Sequence, residues 1–580
     1  MSFSKIFILF IIFNFVYEAS GSVLINEVYY YARPNRNNEY ICIINSGENE
    51  ISLDGWYITI DPLKNFSEQN KISLPSINMA MGEKIYLTQN GTSFKMETGF
   101  EANYEWNDCS SLPDIKKYGN FALSNSGGII CLKDKYNNTV DVVVYGNASF
   151  DEGWNGKSID GVKEGVVLRR KDNIDTNSSF EWEYNRTYII GQSDFPPFKG
   201  KASKAKVFCS PDCSYSSIEN EIRNASKILL NLYLFTNPFL ADLLENSDAD
   251  IKLLLDGNVI GGIPMEERYI AYNLNKRELV RYMMGNEKEG IYKRYEYNHA
   301  KYAVIDNSRV IIASANWGRG GVPLDASYGN REWGIIIKDE GIANFLSNVF
   351  EDDWNPSMQD SIKFDENSIT HGRPPRDYSI SYSIPEGYYS PKFSPLDVNS
   401  SFAYTVILSP DNSEEEIINL INSAERRILV EQNYIDKEWK NGLNPVLQKL
   451  IEKNESGVEV RIILDHSYYE ETKKKNEEIK NFLKNIEVKL SDDLPIHNKG
   501  IIVDDKVLIS SINWGENSFR RNREIGIIIE SAEISEYFEE IFWYDWNFKI
   551  EEKDKINYEF ILIPSLFIVT FILLYLYWRR

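Results

Sequence analysis

Two segments of this chain repeat the same chemically active residue types in the same order. Each has a histidine, a lysine two positions later and an aspartate seven positions after the histidine, followed by a serine and an asparagine. The residues are His299, Lys301, Asp306, Ser314 and Asn316 in the first segment, and His497, Lys499, Asp504, Ser511 and Asn513 in the second. The chain contains four histidines, so finding two of them in matched segments indicates a common role. Imidazoles can attack phosphorus or transfer protons, and ammonium and amide groups can hold anionic oxygens, which favours covalent chemistry on a phosphodiester.

The local sequence predicts how each segment presents these side chains. Residues 299–306 are rich in Val, Ile, Ala and Tyr and predict a buried strand, and residues 309–314 predict a second strand after an Asn-Ser turn. Because strand side chains alternate between faces, the histidine and lysine share one face and the aspartate points to the other. We therefore place histidine and lysine in the reaction centre and include the aspartates as catalytic candidates in a supporting role. Asn316 and Asn513 fall where each hairpin ends, so their amides can reach back to a bound anion.

The two motifs belong to a longer internal repeat. Matched segments recur at a nearly constant offset, namely 207–211 with 406–410, 251–256 with 460–465, 330–337 with 522–529 and 353–355 with 545–547. Apolar strand-like runs alternate with helix-like runs in both copies, which predicts a duplicated α/β unit with a mixed sheet flanked by helices.

The pattern H-x-K-x(4)-D followed by Ser-x-Asn resembles the signature of the phospholipase D superfamily, and both copies are intact. The resemblance implies two halves packed about a pseudo-twofold axis, with one motif from each half meeting at a single active site. We assign the first half to residues 200–355 with its motif at 293–320, and the second to residues 401–550 with its motif at 491–518. Residues 356–400 join the halves.

The resemblance also implies a mechanism. One imidazole attacks phosphorus to form a phosphohistidine, and the other protonates the leaving oxygen and then activates water or an alcohol. The resemblance suggests that His299 is the nucleophile and His497 the acid/base, an order that the sequence alone leaves open. Lysines and asparagines of both motifs would hold the non-bridging oxygens, with Ser314 and Ser511 in support. The chain has no H-E-x-x-H motif and no paired Cys-x-x-Cys cluster, and we expect no metal or cofactor.

Two glutamates, Glu332 and Glu524, occupy equivalent places in the matched Asn-Arg-Glu segments. Each can accept the proton on the far nitrogen of a histidine and so orient the ring. The alternative interpretation is that both are acidic residues on surface loops.

The chain termini predict where this chemistry takes place. An apolar run at residues 6–16 follows Lys5 and precedes small residues, which predicts a secretory signal peptide at 1–21; an uncleaved signal anchor is the alternative. Residues 560–578 are almost wholly apolar, long enough to span a bilayer, and are followed by two arginines. Positive residues stay cytoplasmic, so we expect an extracytoplasmic body held by a C-terminal transmembrane helix.

Composition is consistent with a location outside the cytoplasm. The formal net charge is −23 and the pI about 4.9, which argues against a broad basic surface for polyanions but leaves a local positive cleft open. Acceptor sequences for N-glycosylation occur at Asn65, Asn90, Asn137, Asn147, Asn177, Asn185, Asn224, Asn399 and Asn454. Of five cysteines, Cys209 and Cys213 could close a small disulfide loop in an oxidising exterior.

The N-terminal module, residues 22–192, differs from the repeat. Short alternating segments separated by Gly, Asn, Asp and Pro predict an all-β sandwich. Segments 25–30, 39–45 and 53–58, with later strands near 123–128 and 140–146, resemble a lamin-tail domain. This resemblance implies an immunoglobulin-like fold and a role in binding or spacing.

We interpret the chain as a membrane-anchored, outward-facing phosphodiesterase. A phospholipid and a nucleic acid, DNA or RNA, remain equal candidates for the substrate, because both present the same diester. Transfer to an alcohol instead of water also stays open. The alternative of a different class is a non-catalytic cell-surface binding or adhesion protein that retains the fold. Two intact motifs count against it.

Overall fold

The computed structural model describes residues 23–182, 184–276 and 279–549. The chain separates into two units, Met1–Gly191 and Gln192–Arg580. The predicted signal peptide at 1–21 and the predicted membrane span at 560–578 lie outside the described residues. Among the helices of the described ranges, none has the length and apolarity needed to cross a bilayer.

The first unit is built mainly from two largely antiparallel sheets that share a core. Its elements are β1 Val23–Tyr29, β2 Tyr40–Asn45, β3 Ile51–Ser52, β4 Tyr57–Thr59, β5 Lys71–Ser73, β6 Asn78–Met79, β7 Lys84–Thr88, α1 Gly91–Thr98, β8 Tyr104–Glu105, β9 Lys117–Tyr118, β10 Gly127–Lys133, β11 Thr139–Gly146, β12 Val166–Arg169 and β13 Tyr188–Ile189. The sheet orders are β13-β12-β1-β2-β7-β8, with β7 and β8 as a parallel pair, and β11-β10-β4-β5-β9, while β3 and β6 form a separate two-stranded sheet. Ile25 and Ile41 of one sheet and Ile58 and Ile130 of the other belong to one buried cluster. The prediction of an all-β domain is confirmed.

The second unit contains the duplicated α/β unit. Its first part comprises β14 Phe198–Ala202, β15 Ala205–Ser210, α2 Ser214–Arg223, β16 Lys227–Leu232, α3 Pro238–Glu245, β17 Asp250–Asp256, α4 Met265–Leu274, β18 Leu279–Met283, β19 Lys301–Ile305, β20 Arg309–Ala313, β21 Glu332–Lys338, α5 Glu340–Trp354, β22 Ser361–Lys363 and β23 Leu396–Val398. Its second part comprises β24 Phe402–Ser409, α6 Ser413–Asn422, β25 Arg427–Gln432, β26 Glu438–Trp439, β27 Gly442–Leu443, α7 Pro445–Glu455, β28 Glu459–Asp465, α8 Glu470–Phe482, β29 Glu487–Ser491, β30 Lys499–Val503, β31 Lys506–Ser510, α9 Glu516–Arg520, β32 Glu524–Glu530 and α10 Ala532–Asn547.

The two sheets have equivalent strand orders when the second is followed from its opposite edge, except that β22 is an additional edge strand of the first sheet. The first sheet runs β22-β18-β17-β16-β19-β20-β21-β15-β23, and the second runs β14-β24-β32-β31-β30-β25-β28-β29. Three strands of each sheet are parallel, β16 to β18 in one and β25, β28 and β29 in the other, and the remaining pairs are antiparallel. The predicted mixed sheet and its duplication are confirmed.

The short strand that precedes each half in sequence pairs with the sheet of the other half. Strand β14 precedes the first half in sequence but pairs with β24 of the second sheet. Strand β23 precedes the second half but pairs with β15 of the first sheet. A single hydrophobic core contains residues of both halves, and at their contact the ring centroids of Trp333 and Phe538 lie 4.6 Å apart. The halves therefore form one body rather than two linked domains.

The five cysteines are free thiols. The expected disulfide between Cys209 and Cys213 is not formed. Instead the N–H of Cys213 donates to the carbonyl oxygen of Cys209 at 3.0 Å, and the thiol of Cys213 lies 3.4 Å from the same oxygen. The loop is thus closed by backbone hydrogen bonding at the start of α2.

Candidate active site

Each histidine lies just before the first strand of its hairpin, and each lysine is the first residue of that strand. Lys301 and Lys499 are buried, and their ammonium groups donate to the carbonyl oxygens of His299, at 2.5 Å, and His497. Histidine and lysine of one motif are therefore held together locally, as expected for residues two apart on a strand.

The two motifs meet through crossed hydrogen bonds. Nδ1 of His299 lies 2.7 Å from Oε2 of Glu524, and Nδ1 of His497 lies 2.5 Å from Oε1 of Glu332. Each histidine is thus bound by the glutamate of the opposite half. A carboxylate at Nδ1 favours a proton on that nitrogen and leaves Nε2 with its lone pair available for chemistry.

The motif serines fix the glutamates in turn. The hydroxyl of Ser314 donates to Glu332 at 2.6 Å, and that of Ser511 donates to Glu524 at 2.6 Å. Each hydroxyl oxygen also accepts, at 3.0 Å, the backbone N–H of the residue that follows the glutamate. Both glutamates are fully buried. The result is two matched chains of serine, glutamate and histidine, each of which crosses from one half to the other.

The motif asparagines offer unused polar atoms. Oδ1 of Asn316 and of Asn513 is buried and has no hydrogen-bond partner among the described residues. Such an atom costs free energy unless a ligand or water completes its bonding. A donor on a ligand or a water can complete the bonding of Oδ1, whereas the anionic oxygens of a substrate can be bound only by the Nδ2 donors of these amides.

Asp306 and Asp504, the catalytic candidates with a supporting role, lie apart from this group. Asp306 accepts the N–H groups of Ser226 and Lys227 at 2.8 and 2.9 Å, in the turn at the far end of β19. Asp504 accepts three consecutive N–H groups, those of Glu425, Arg426 and Arg427. Each aspartate lies seven positions after its histidine, about 23 Å along an extended strand. The aspartates tie the hairpin to the neighbouring strand.

Comparison with known proteins identifies the fold and the family. A family model described as "Cardiolipin synthase, PLD-like domain" matches residues 218–354 and 417–546. Phospholipase D of Rickettsia conorii is 31% identical over 147 residues, which span 24% of this chain and 68% of that protein. The chain belongs to the phospholipase D family. It is therefore an enzyme of the phosphodiesterase or phosphatidyltransferase type. The N-terminal unit carries a lamin tail domain, whose family model matches residues 17–147.

Solved structures with a similar arrangement include two further proteins. Phosphatidylserine synthase from Haemophilus influenzae aligns with 14% identity and a TM-score of 0.42, over 63% of this chain and 94% of that one. Nuc from Salmonella typhimurium, a phospholipase D family member, aligns with 20% identity and a TM-score of 0.21, over 29% of this chain and 99% of that one.

Two aspartates at this phospholipase D-type site were missed by the sequence analysis. Asp256 ends β17 and accepts the N–H of Asn298 at 2.8 Å, and Asp465 ends β28 and accepts the N–H of Ile496 at 3.0 Å. Asn298 and Ile496 immediately precede the two histidines. Both aspartates terminate matched segments of the repeat, so their shared position was the signal that could have identified them. They fix the backbone from which each histidine projects.

Burial controls the charge state of the phospholipase D-type centre. It lowers the pKa of His299 to about 4 despite the opposing effect of Glu524, and it also lowers the pKa of His497. Burial lowers the pKa of Lys301 to about 7 and that of Lys499 to about 8. At neutral pH both imidazoles are therefore neutral and the ammonium charge is incomplete. A bound anion favours the protonated forms, so substrate binding should take up protons.

The donor atoms of this centre are imidazoles, ammoniums and amides, with both carboxylates already bound to histidines. Among the described residues, one group of carboxylates has the spacing of a metal site, at Glu105, Asp108 and Asp114 in the N-terminal unit. Oxygens of Glu105 already accept the N–H groups of Gly91 and Ser110.

Proposed function

We propose that the protein hydrolyses phosphodiesters through a phosphohistidine intermediate, with His299 as nucleophile and His497 as general acid and base. The observation that supports this most strongly is the crossed pairing, which presents two Nε2 atoms at one centre. The side chain of His299 is 12% exposed and that of His497 is 26% exposed. The less exposed ring suits the nucleophile, whereas the more exposed ring can exchange protons with water.

The reaction then has two displacements. Binding of the anionic substrate first protonates His497 at Nε2. Nε2 of His299 then attacks phosphorus, the bond to the leaving oxygen breaks, and that oxygen takes the proton from Nε2 of the His497 imidazolium. In the second step water gives a proton to His497 and attacks phosphorus, and the phosphorus–nitrogen bond breaks. The ammonium groups of Lys301 and Lys499 and the amides of the motif asparagines stabilise the charge on the non-bridging oxygens.

We propose a phospholipid as the substrate, with single-stranded nucleic acid as the competing outcome of the test. The net charge of −23 disfavours long-range attraction of a polyanion. The exposed side chains of Ile260, 76% exposed, and Tyr469, 75% exposed, belong to the loops that follow β17 and β28. The N–H of Ile260 donates to the hydroxyl of Tyr233 at 3.2 Å, and the ring centroid of Tyr233 lies 4.7 Å from that of His299. An exposed apolar side chain on this loop suits a lipid substrate.

The first test is turnover without divalent metal. We expect the full-length protein in detergent micelles with excess EDTA to cleave bis(p-nitrophenyl) phosphate, and to cleave phosphatidylcholine in mixed micelles faster than single-stranded DNA of equal phosphate concentration. Faster cleavage of DNA would reassign the substrate. A folded wild type that cleaves none of the three would contradict the enzyme mechanism and favour an adhesion role.

Membrane anchoring and an extracytoplasmic catalytic body also belong to this proposal. They are supported by the apolar segments at 6–16 and 560–578 and the terminal arginines. We expect isolated membranes to retain the protein through alkaline extraction. We also expect protease added to intact cells to degrade the protein down to a small C-terminal fragment. Release by alkali, or protection of the body from protease, would disprove the anchor or the orientation respectively.

A further inference from the structure

We propose that Arg331 and Arg523 are positioning residues, each of which sets one histidine–glutamate pair through a buried clamp assembled from both halves. The proposal rests on the proposed function for the role of each histidine. Its structural part rests on the hydrogen bonds of Arg331 and Arg523, which lie outside the reaction centre.

The first clamp surrounds Arg331, which is fully buried. Its Nε and Nη2 donate to Asp545 at 2.6 and 2.9 Å, and its Nη1 donates to Asp212 at 2.7 Å. Asp545 lies in the last turn of α10, in the second half, whereas Asp212 lies in the loop after β15, in the first half. We call these three residues the Arg331 clamp.

The second clamp repeats this arrangement with the halves exchanged. Arg523 donates to Asp353 through Nε at 3.1 Å and Nη2 at 2.9 Å, and to Asp411 through Nη1 at 3.3 Å. Asp353 lies in the last turn of α5, in the first half, and Asp411 lies in the loop after β24. These three residues form the Arg523 clamp. Each arginine therefore binds the end of the opposite half's last helix.

The backbone of each arginine connects its clamp to both members of one crossed pair. Arg331 directly precedes Glu332, and its carbonyl oxygen accepts the N–H of His497 at 3.1 Å. Arg523 directly precedes Glu524, and its carbonyl oxygen accepts the N–H of His299 at 2.8 Å. One residue thus fixes the glutamate by sequence and the histidine by hydrogen bonding. The Arg331 clamp serves His497, and the Arg523 clamp serves His299.

Stability alone does not explain these clamps. Burying charges removes them from water, and well-packed apolar residues of similar volume often stabilise a fold as well or better. Two such clamps nevertheless occur, at equivalent positions and each next to a catalytic pair. A positioning role accounts for that placement because a sub-ångström shift of a hydrogen-bonded imidazole slows proton transfer and attack.

The test replaces each central ion pair by apolar residues in the full-length protein. Arg331→Met/Asp545→Leu/Asp212→Asn should fold, because no buried charge of the clamp is left unpaired and the side-chain oxygen at position 212 can still accept the N–H groups of Lys392 and Phe393. We expect its kcat to fall about 10- to 100-fold both on a diester with an alkyl leaving group and on bis(p-nitrophenyl) phosphate, while the initial burst of p-nitrophenol is kept, because on that substrate only the second displacement needs His497. The mirror variant, Arg523→Met/Asp353→Leu/Asp411→Asn, should slow the burst itself as well as kcat, because attack by His299 precedes every product.

A readout independent of turnover separates this inference from the proposed function. With four histidines in the chain, nitrogen-15 spectra of histidine-labelled protein give few signals, which His299→Ala and His497→Ala assign. In the Arg331 variant we expect the His497 ring to lose its single Nδ1–H tautomer while His299 keeps its own, and the reverse in the Arg523 variant. Unchanged tautomers with wild-type kcat in the folded variants would overturn the proposal.

A matched control is available in the N-terminal unit. Arg170 forms buried ion pairs with Asp141, at 2.6 Å, and with Glu181, and Arg170→Met/Asp141→Leu/Glu181→Gln removes them in the same way. We expect this control to change thermal stability while leaving kcat and both histidine tautomers as in the wild type. An equal loss of kcat in the control would mean that removing any buried ion pair slows the enzyme, and would overturn the assignment.

Discussion

Replacing His299 by alanine is expected to remove turnover of every phosphodiester, with a fall in kcat of about 10⁵-fold. In this mechanism His497 serves as acid and base, and the lysine ammoniums donate to carbonyl oxygens, so without His299 the phosphohistidine does not form. The loss should not depend on the leaving group. The measurement is kcat on bis(p-nitrophenyl) phosphate and on phosphatidylcholine at equal enzyme concentration.

His497→Ala should behave differently. Release of p-nitrophenolate needs no proton, so the first displacement should survive, whereas attack by water on the phosphohistidine loses its base. We expect a burst of about one equivalent of p-nitrophenol per enzyme followed by very slow turnover, and an acid-labile phosphoenzyme. A burst in the His299 variant instead would exchange the two roles.

The control for both variants is His371→Gln. His371 hydrogen-bonds to Ser368 and Thr370 and belongs to neither motif, so this change should leave kcat intact. If both catalytic variants retained turnover near that of the control, the two-histidine mechanism would be wrong.

Lys301→Met is expected to lower kcat/KM by about 10³-fold and yet leave the fold at least as stable. The ammonium is buried, and burial lowers its pKa to about 7, against about 10.4 in an unfolded chain. Folding at neutral pH or below therefore works against the charged form, and a methionine of similar length removes that cost. We expect Tm to rise by about 1–3 °C at pH 6, with the gain vanishing towards pH 10. Loss of activity together with a lower Tm would indicate a structural lysine.

The same lysines should limit the wild type at alkaline pH. Anion binding requires protonated ammoniums, and their pKa values of about 7 and 8 place a fall in kcat/KM as pH rises through that range. Below about pH 4 protonation of His299 should remove the nucleophile. A kcat/KM profile at constant ionic strength gives both limbs; a flat profile between pH 6 and 9 would show that the lysines keep ordinary pKa values in the free enzyme.

The hairpins and the duplication could be predicted because they rest on local information. Alternation along residues 299–306 sets which side chains share a face, and matched segments reveal the repeat without knowledge of contacts. The alternation of side chains between faces gives no distance from one residue to another, however. It placed Asp306 on the other face but not at the far end of the strand, where it bonds to Ser226 and Lys227.

The crossed pairing could not be predicted because the repeat is symmetric. Glu332 and Glu524 stand in equivalent positions relative to both histidines, so the sequence permits pairing within a half or between halves. Only the packing of the two halves determines which glutamate binds which histidine. The clamps could not be predicted either, because Arg331 and Asp545 are 214 positions apart in the sequence. Arginine and aspartate are also common residues, so no motif marks the pair.

The exchange of strands β14 and β23 between the sheets has a consequence for biosynthesis. A nascent chain that has emerged only as far as the first motif lacks the partner strand β24 for β14, and Glu524 for His299, because both lie later in the sequence. Translation must pass the second motif before either histidine receives its carboxylate. The reactive centre therefore cannot be complete until most of the chain has left the ribosome.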